Sequence, residues 1–201
     1  MNILAFLPRS SRTLIVAPAL AVAFACVGAS TSSATPALLD DFADSEKTST
    51  GAGRLLVDDR QLGSASQGTQ ACADGVLVVR GSLAPGRGVP AFISLVLLTA
   101  PEGSPQDLGA FEGIRLRVKV KQGALSVQAA SAAIDNFDFH SGPLTVRGDE
   151  FQEVRIPFAS MKRAWSEQTP LDLATITSVN IVAFGLAKGD FAYELDEVGF
   201  Y

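Results

Sequence analysis

The sequence has little of what most enzymes and cross-linked exported domains depend on. Its 201 residues include one histidine, two cysteines, one tryptophan and two tyrosines. A lone histidine, His140, without a GxSxG turn leaves a Ser–His–Asp hydrolase without its second anchor. Two cysteines, Cys26 and Cys72, form no CxxC pair and no Cys/His zinc spacing. The GRG of residues 86–88 is followed by neither a lysine in the required place nor a helix, so it is a turn and not a phosphate loop. Lysine and arginine number 16 against 21 acids, giving a formal charge of −5, and no basic block occurs. Phosphate neutralisation needs clustered cations, so nucleic acid is excluded as a partner.

What is abundant is apolar, and part of it lies at the N-terminus. Residues 1–12 carry Arg9 and Arg12 and no acid, and residues 13–29 (TLIVAPALAVAFACVGA) are almost wholly apolar. A basic end, a short apolar middle and a small-residue exit make a secretory signal. The run is shorter than the roughly 20 residues that span a bilayer, so no membrane span is expected in the mature chain. Cleavage after Ala29 or after Ala34 competes with lipidation at Cys26, whose AFAC setting resembles a weak lipobox. Removing residues 1–29 takes away two arginines and no acid, which moves the charge from −5 to −7. It also leaves Cys72 without a disulfide partner, as a small buried apolar residue. The expected division is a signal peptide over 1–29, a linker over 30–37 and one domain over 38–201. The protein is expected to be exported, periplasmic or extracellular, and monomeric.

From Leu38 onward, short apolar or alternating runs are separated by Gly, Pro, Asn and Asp. Strands are expected over 38–42, 55–57, 76–83, 91–99, 113–120, 125–130, 151–158, 178–184 and 191–201. Residues 113–121 (GIRLRVKVK) alternate aliphatic with basic side chains, the period-2 mark of a strand with one wet face. Helical periodicity is confined to 159–165 (ASMKRAW), two turns at most. Many short strands and no long helix give an all-β antiparallel sandwich.

Residues 57–66 (VDDRQLGSAS), 75–94 (GVLVVRGSLAPGRGVPAFIS), 108–118 (LGAFEGIRLRV) and 151–158 (FQEVRIPF), followed by the closing strand at 191–198, occur in a familiar order. That order resembles the complex I intermediate-associated protein 30 family, with Leu62-Gly63-Ser64 standing where the family has Met-Gly-Gly. The resemblance implies a galactose-binding-like jelly roll, akin to several carbohydrate-binding modules. It also implies a non-catalytic role binding a protein partner in assembly or maintenance of an envelope complex. A carbohydrate-binding module with a glycan partner is the alternative. Twelve phenylalanines against so few Trp and Tyr weigh against it, because sugar platforms favour rings with a polar tip and Phe suits a core.

Three polar groups are candidates for chemistry. The adjacent Asp58 and Asp59 would point to opposite faces of a strand, so a turn role is expected rather than a shared substrate. Asp40 and Asp41 on the first strand and Glu194 and Asp196 on the last would converge if those strands pair. A structural calcium ion, the one cofactor considered, would suit such oxygens; the alternative is a solvated strand face. In residues 135–140 (DNFDFH), Asn136, Asp138 and His140 share one strand parity beside Phe139, the kind of face that grips a sugar or peptide. Trp165 joins them as a stacking or anchoring ring, or else plugs the open end of the sandwich.

Overall fold

Alternation builds the strands. In Gly113–Gln122, Ile114, Leu116, Val118 and Val120 are buried to within 1% of complete, while Arg115, Arg117, Lys119 and Lys121 face the other way. On that outer side Arg115 pairs with Glu197, Arg117 with Asp196, and Lys119 and Lys121 with Glu194 at 2.7 and 2.5 Å. Apolar burial drives the inner face into a core, and the charged ladder keeps the outer face in water.

The computed structural model describes residues 37–201. The signal segment, its cleavage and lipidation sites and all but the last residue of the 30–37 linker lie outside the described residues. Eleven strands follow in chain order: β1 Leu38–Asp40, β2 Arg54–Asp58, β3 Gln67–Ala73, β4 Val76–Leu83, β5 Ala91–Leu98, β6 Gly113–Gln122, β7 Ala124–Ser131, β8 His140–Leu144, β9 Gln152–Pro157, β10 Ile176–Gly185 and β11 Gly189–Phe200. They form one sheet ordered β3-β4-β11-β6-β9, with β1 also on β11, and a second ordered β2-β5-β10-β7-β8. Every pairing is antiparallel. The chain is thus an all-β antiparallel sandwich of the jelly-roll, galactose-binding-like kind, with its core between Leu95, Ile181 and Val127 on one side and Leu116, Leu195 and Val79 on the other.

Two strands and one turn differ from the sequence expectation. β3 (QGTQACA) and β8 (HSGPL) lack the alternating apolar pattern. β3 is a sheet edge with no buried residue, and β8 carries Pro143 at the opposite edge of its sheet. The helix expected over 159–165 is only a 3-10 turn at Phe158–Ser160. Met161 is extended (φ −75°, ψ 140°), and Lys162 exchanges two backbone hydrogen bonds with Ser141 at 2.9 Å each. Downstream amide groups that a helix would need go to a carboxylate instead, as described below.

Asp58 and Asp59 close a turn, and their side chains do separate jobs. Asp58 accepts from the Arg60 amide at 3.1 Å and from Arg60 Nε at 2.7 Å. Asp59 is fully buried and accepts from Ser66 N (3.2 Å), Ser66 Oγ (2.6 Å) and Phe92 N (2.8 Å), so it ties the turn to the start of β5. Gly63 completes the turn at φ 82°, a conformation that favours glycine.

Tyr193 lies deep in the core, tilted against Phe191 at 6.4 Å, and its hydroxyl has no hydrogen-bond partner among the described residues. Burial pushes its pKa above the ordinary tyrosine range. A buried hydroxyl without a partner costs about 1–3 kcal/mol. Tyr193→Phe is therefore expected to leave stability unchanged or raise it by about 1 kcal/mol, measured as a shift in urea midpoint. A loss above 1 kcal/mol would mean the hydroxyl is satisfied after all.

Candidate functional site

The second sheet begins and ends its strands at two loop-bearing ends. β10 starts at Ile176 where β7 ends, and β5 ends and β8 and β2 begin nearby in register. Residues 132–139 and 158–175 therefore meet at this end, and they are joined through Asp138.

Asp138 is 1% exposed. Its carboxylate accepts the backbone N–H groups of Ala164 (2.8 Å), Trp165 (3.1 Å) and Ser166 (2.6 Å), and Arg163 Nε lies 3.8 Å away. Burial pushes the Asp138 pKa up, but the hydrogen bonds from residues 164–166 outweigh it and hold the carboxyl below the usual aspartate value. Arg163 donates to the Asp138 carbonyl at 3.2 Å and to Asn136 Oδ1 at 3.1 Å, and Asn136 Nδ2 donates to Ser166 Oγ at 2.9 Å. One loop is thus fastened to the other by a buried charge and a fork of donors. Charge-assisted bonds of this kind are stronger than neutral ones and fix geometry.

The clamp presents two rings. Trp165 is 70% exposed and Phe137 76% exposed, with Phe137 set edge-on to Phe139 at 6.3 Å. Phe137 sits at φ 61°, a left-handed conformation that is unusual for an aromatic residue. That kink ends the strand parity expected over 135–140. Asn136 and Phe137 point outward, Phe139 is half-buried, and Asp138 and His140 are buried. His140 Nε2 lies 2.6 Å from the Thr169 carbonyl, which accepts, so Nε2 carries the proton and Nδ1 is left without a partner among the described residues. The five residues singled out from sequence come together here, but in different capacities. Asn136, Asp138 and His140 hold the loops, Phe139 packs beneath Phe137, and Trp165 is displayed. Arg163 and Phe137 were missed as site residues; an arginine two residues before the only tryptophan was the available signal.

The four carboxylates considered for calcium are placed apart from one another's work. The first and last strands do pair, Asp40 opposite Val198. Asp40, however, is fully buried in a two-pronged ion pair with Arg54 (2.5 and 2.8 Å), and Asp41 accepts from Ser49 Oγ at 2.9 Å and the Ala43 amide at 3.2 Å. Glu194 and Asp196 belong to the cationic ladder of β6. Among the described residues no group of three or more His, Cys, Asp or Glu side chains is placed to hold a metal ion. Likewise, no helix of the described residues is long and apolar enough to cross a membrane.

The sequence profile of the complex I intermediate-associated protein 30 family matches residues 41–195, most of the chain. The chain belongs to this family. No curated protein matches the sequence. Among solved structures, this CIA30 domain is similar to a family 11 carbohydrate-binding module from Clostridium thermocellum in complex with a β-1,3-1,4-mixed-linked tetrasaccharide (19% identity, 81% of this chain and 93% of that chain covered, TM-score 0.54). It is also similar to the family 11 module of a cellulosomal cellulase from the same organism (18% identity, 83% and 96% covered, TM-score 0.53). An agarase contains a comparable region, at 10% identity over 82% of this chain and 26% of that one, with TM-score 0.54. At these identities the likeness is one of fold. The CIA30 match gives the family, and these neighbours agree with its β-sandwich fold.

Proposed function

We propose that this CIA30 domain is an exported, non-catalytic binding module that grips a protein partner of the cell envelope through the Trp165–Phe137 end, in assembly or maintenance of a complex. The observation that carries this is the display of Trp165: a large ring, 70% exposed, on a loop that a buried aspartate holds by three backbone N–H groups. Exposed apolar rings on rigid supports are what binding hot spots require, because little side-chain and loop entropy remains to be lost on association. Phe137 strengthens the protein reading, since a ring without a polar tip adds apolar area and no hydrogen bond for a sugar hydroxyl. A carbohydrate ligand is the second reading, supported by the fold likeness and by the exposed Asn136, which hydrogen-bonds Ser166, the residue after Trp165.

The test uses the full chain as bait in native envelope extract, beside a broad glycan array. Trp165→Ala is expected to weaken capture of one identified envelope protein at least tenfold, since hot-spot truncations cost about 2 kcal/mol or more. The melting temperature should stay within roughly 2 °C of wild type, because the indole is mostly in water. Glycan binding that vanishes on Trp165→Ala, without Trp165-dependent protein capture, would hand the site to carbohydrate.

A further inference from the structure

The large apolar side chains exposed among the described residues fall in two places. Phe137 and Trp165 occupy the end already described; Leu55, Val57, Leu62, Phe184 and Leu186 gather at the far end of the second sheet and its outer face. Here β2 has just ended, β10 ends at Gly185 opposite Ala91, and Phe184 lies beside Phe92 in register. The turns interlock: the Gly86 amide donates to Ser64 Oγ at 2.9 Å, and Leu186 shares a recess with Val89 and Pro90. Leu186 is 85% exposed and Leu62 is 58% exposed, each near the tip of a turn.

Cations stand among these tips. Arg87 and Lys188 are exposed and form no ion pair among the described residues. Arg60 is bound to Asp58 at 2.6 Å, Asp59 is buried beneath the turn in hydrogen bonds to Ser66 and Phe92, and Asp190 follows Lys188 by two residues. Arg60, Arg87 and Lys188 equal Asp58, Asp59 and Asp190 in number, so on a chain of formal charge −5 the corner is neutral, with Arg87 and Lys188 exposed and outside any ion pair among the described residues. Its tips are mostly Leu and Val, which are under-represented in protein hot spots, and it holds neither Trp nor Tyr. Protruding aliphatic tips with unpaired Arg and Lys beside them match a bilayer surface: the tips enter the headgroup–acyl boundary and the cations meet lipid phosphates.

We infer that the corner formed by Val57, Leu62, Arg87, Phe184, Leu186 and Lys188 docks on an anionic lipid bilayer. It lies at the opposite end of the sheet from Trp165, so a membrane-docked molecule keeps the Trp165 end free. The inference stands independently of the partner proposed for that end.

The single native tryptophan supplies both the test and its control. In the full chain, Leu186→Trp combined with Trp165→Phe places the only indole at the corner. Vesicles of phosphatidylcholine with one-third phosphatidylglycerol, brominated in the acyl chains, should shift its emission to the blue and quench it. The native chain, with its indole at Trp165, should show neither change, even where the N-terminal apolar segment tethers it to the same vesicles. Adding Arg87→Gln and Lys188→Gln to the reporter should weaken partitioning about tenfold or more, since each cation near an anionic surface contributes roughly a fivefold factor. An unquenched indole at position 186, equal quenching of Trp165, or partitioning indifferent to the two Gln substitutions overturns the inference. A position-186 signal that responds to an envelope protein and not to vesicles overturns it in favour of a protein surface.

Discussion

Arg54→Ala is expected to remove about 3–5 kcal/mol of folding stability, the cost of breaking a buried ion pair from one side. The Arg54 and Asp40 side chains are 2% and 0% exposed. Nε and Nη2 of Arg54 reach the two Asp40 oxygens at 2.5 and 2.8 Å, while Nη1 and Nη2 reach the carbonyls of Asp44 and Lys47 at 2.8 and 2.5 Å. The guanidinium also lies over the Phe42 ring, 5.2 Å from its centroid. One side chain therefore ties β1, β2 and the intervening connection together. Alanine would strand the Asp40 carboxylate in the core, with the Phe42 amide as its remaining donor at 2.9 Å. For a chain of this size the melting temperature should fall by roughly 10 °C. Arg54→Lys should recover little, because an ammonium point charge cannot serve a carboxylate and two carbonyls in a planar fork. Arg54→Met with Asp40→Leu should regain much of the loss, since removing both charges leaves no buried ion uncompensated. A calorimetric loss below 1 kcal/mol for Arg54→Ala would show that water reaches this pair and that the clamp is incidental.

The same pair shows where sequence reading succeeds and where it stops. The strands of β4, β5, β6 and β11 are legible because their two faces meet different solvents, and GIRLRVKVK records that difference directly. The pairing of the first and last strands entered only as the condition for a shared cation, and β1 does pair with β11. What was not legible is which cation meets which carboxylate. Asp40 finds Arg54, fourteen residues away on the next strand, a contact made by the fold and unmarked by any local pattern. β3 and β8 escaped because edge strands with wet or glycine-containing sequences need no apolar alternation. At Gly142 a Cβ would come within 2.6 Å of the Ile156 side chain, so close packing there selects glycine, a constraint that no local pattern marks.

The loop cluster was half legible for a related reason. The stretch 135–140 and Trp165 stood out by composition, but strand parity was the wrong ruler once Phe137 turned left-handed. A buried aspartate that captures amides 26 to 28 residues downstream is a tertiary event. It also explains the missing helix: the N–H groups of 164–166 point to Asp138 in place of carbonyls one turn back.

Asp138→Ala follows as the sharpest test of how the site is built. Removing the carboxylate leaves three backbone N–H groups without their shared acceptor and Arg163 without its counter-ion, though its bond to the residue-138 carbonyl remains. Each hydrogen bond to a charged group contributes about 1.5–3 kcal/mol, and water reaching the opened loop returns part of it. A net loss of about 2–4 kcal/mol is expected by thermal denaturation. The larger effect should be on presentation. Trp165 is the only tryptophan, so its fluorescence anisotropy reports the loop alone. In Asp138→Ala the anisotropy should drop and partner binding should weaken at least as far as in Trp165→Ala, though the indole itself is intact. Asp138→Asn, which keeps one carbonyl acceptor, should fall between. Acid should mimic the substitution with a definite sign. Because the folded carboxyl is held below its ordinary value of 3.8, its contribution is fully present above pH 3.8 and is lost as pH falls through the lower, folded value. Trp165 anisotropy should therefore stay flat from pH 8 to about pH 4 and decline only in stronger acid. The alanine variant should show no such acid step. An acid step that survives in the alanine variant would show that a group other than Asp138 orders the loop.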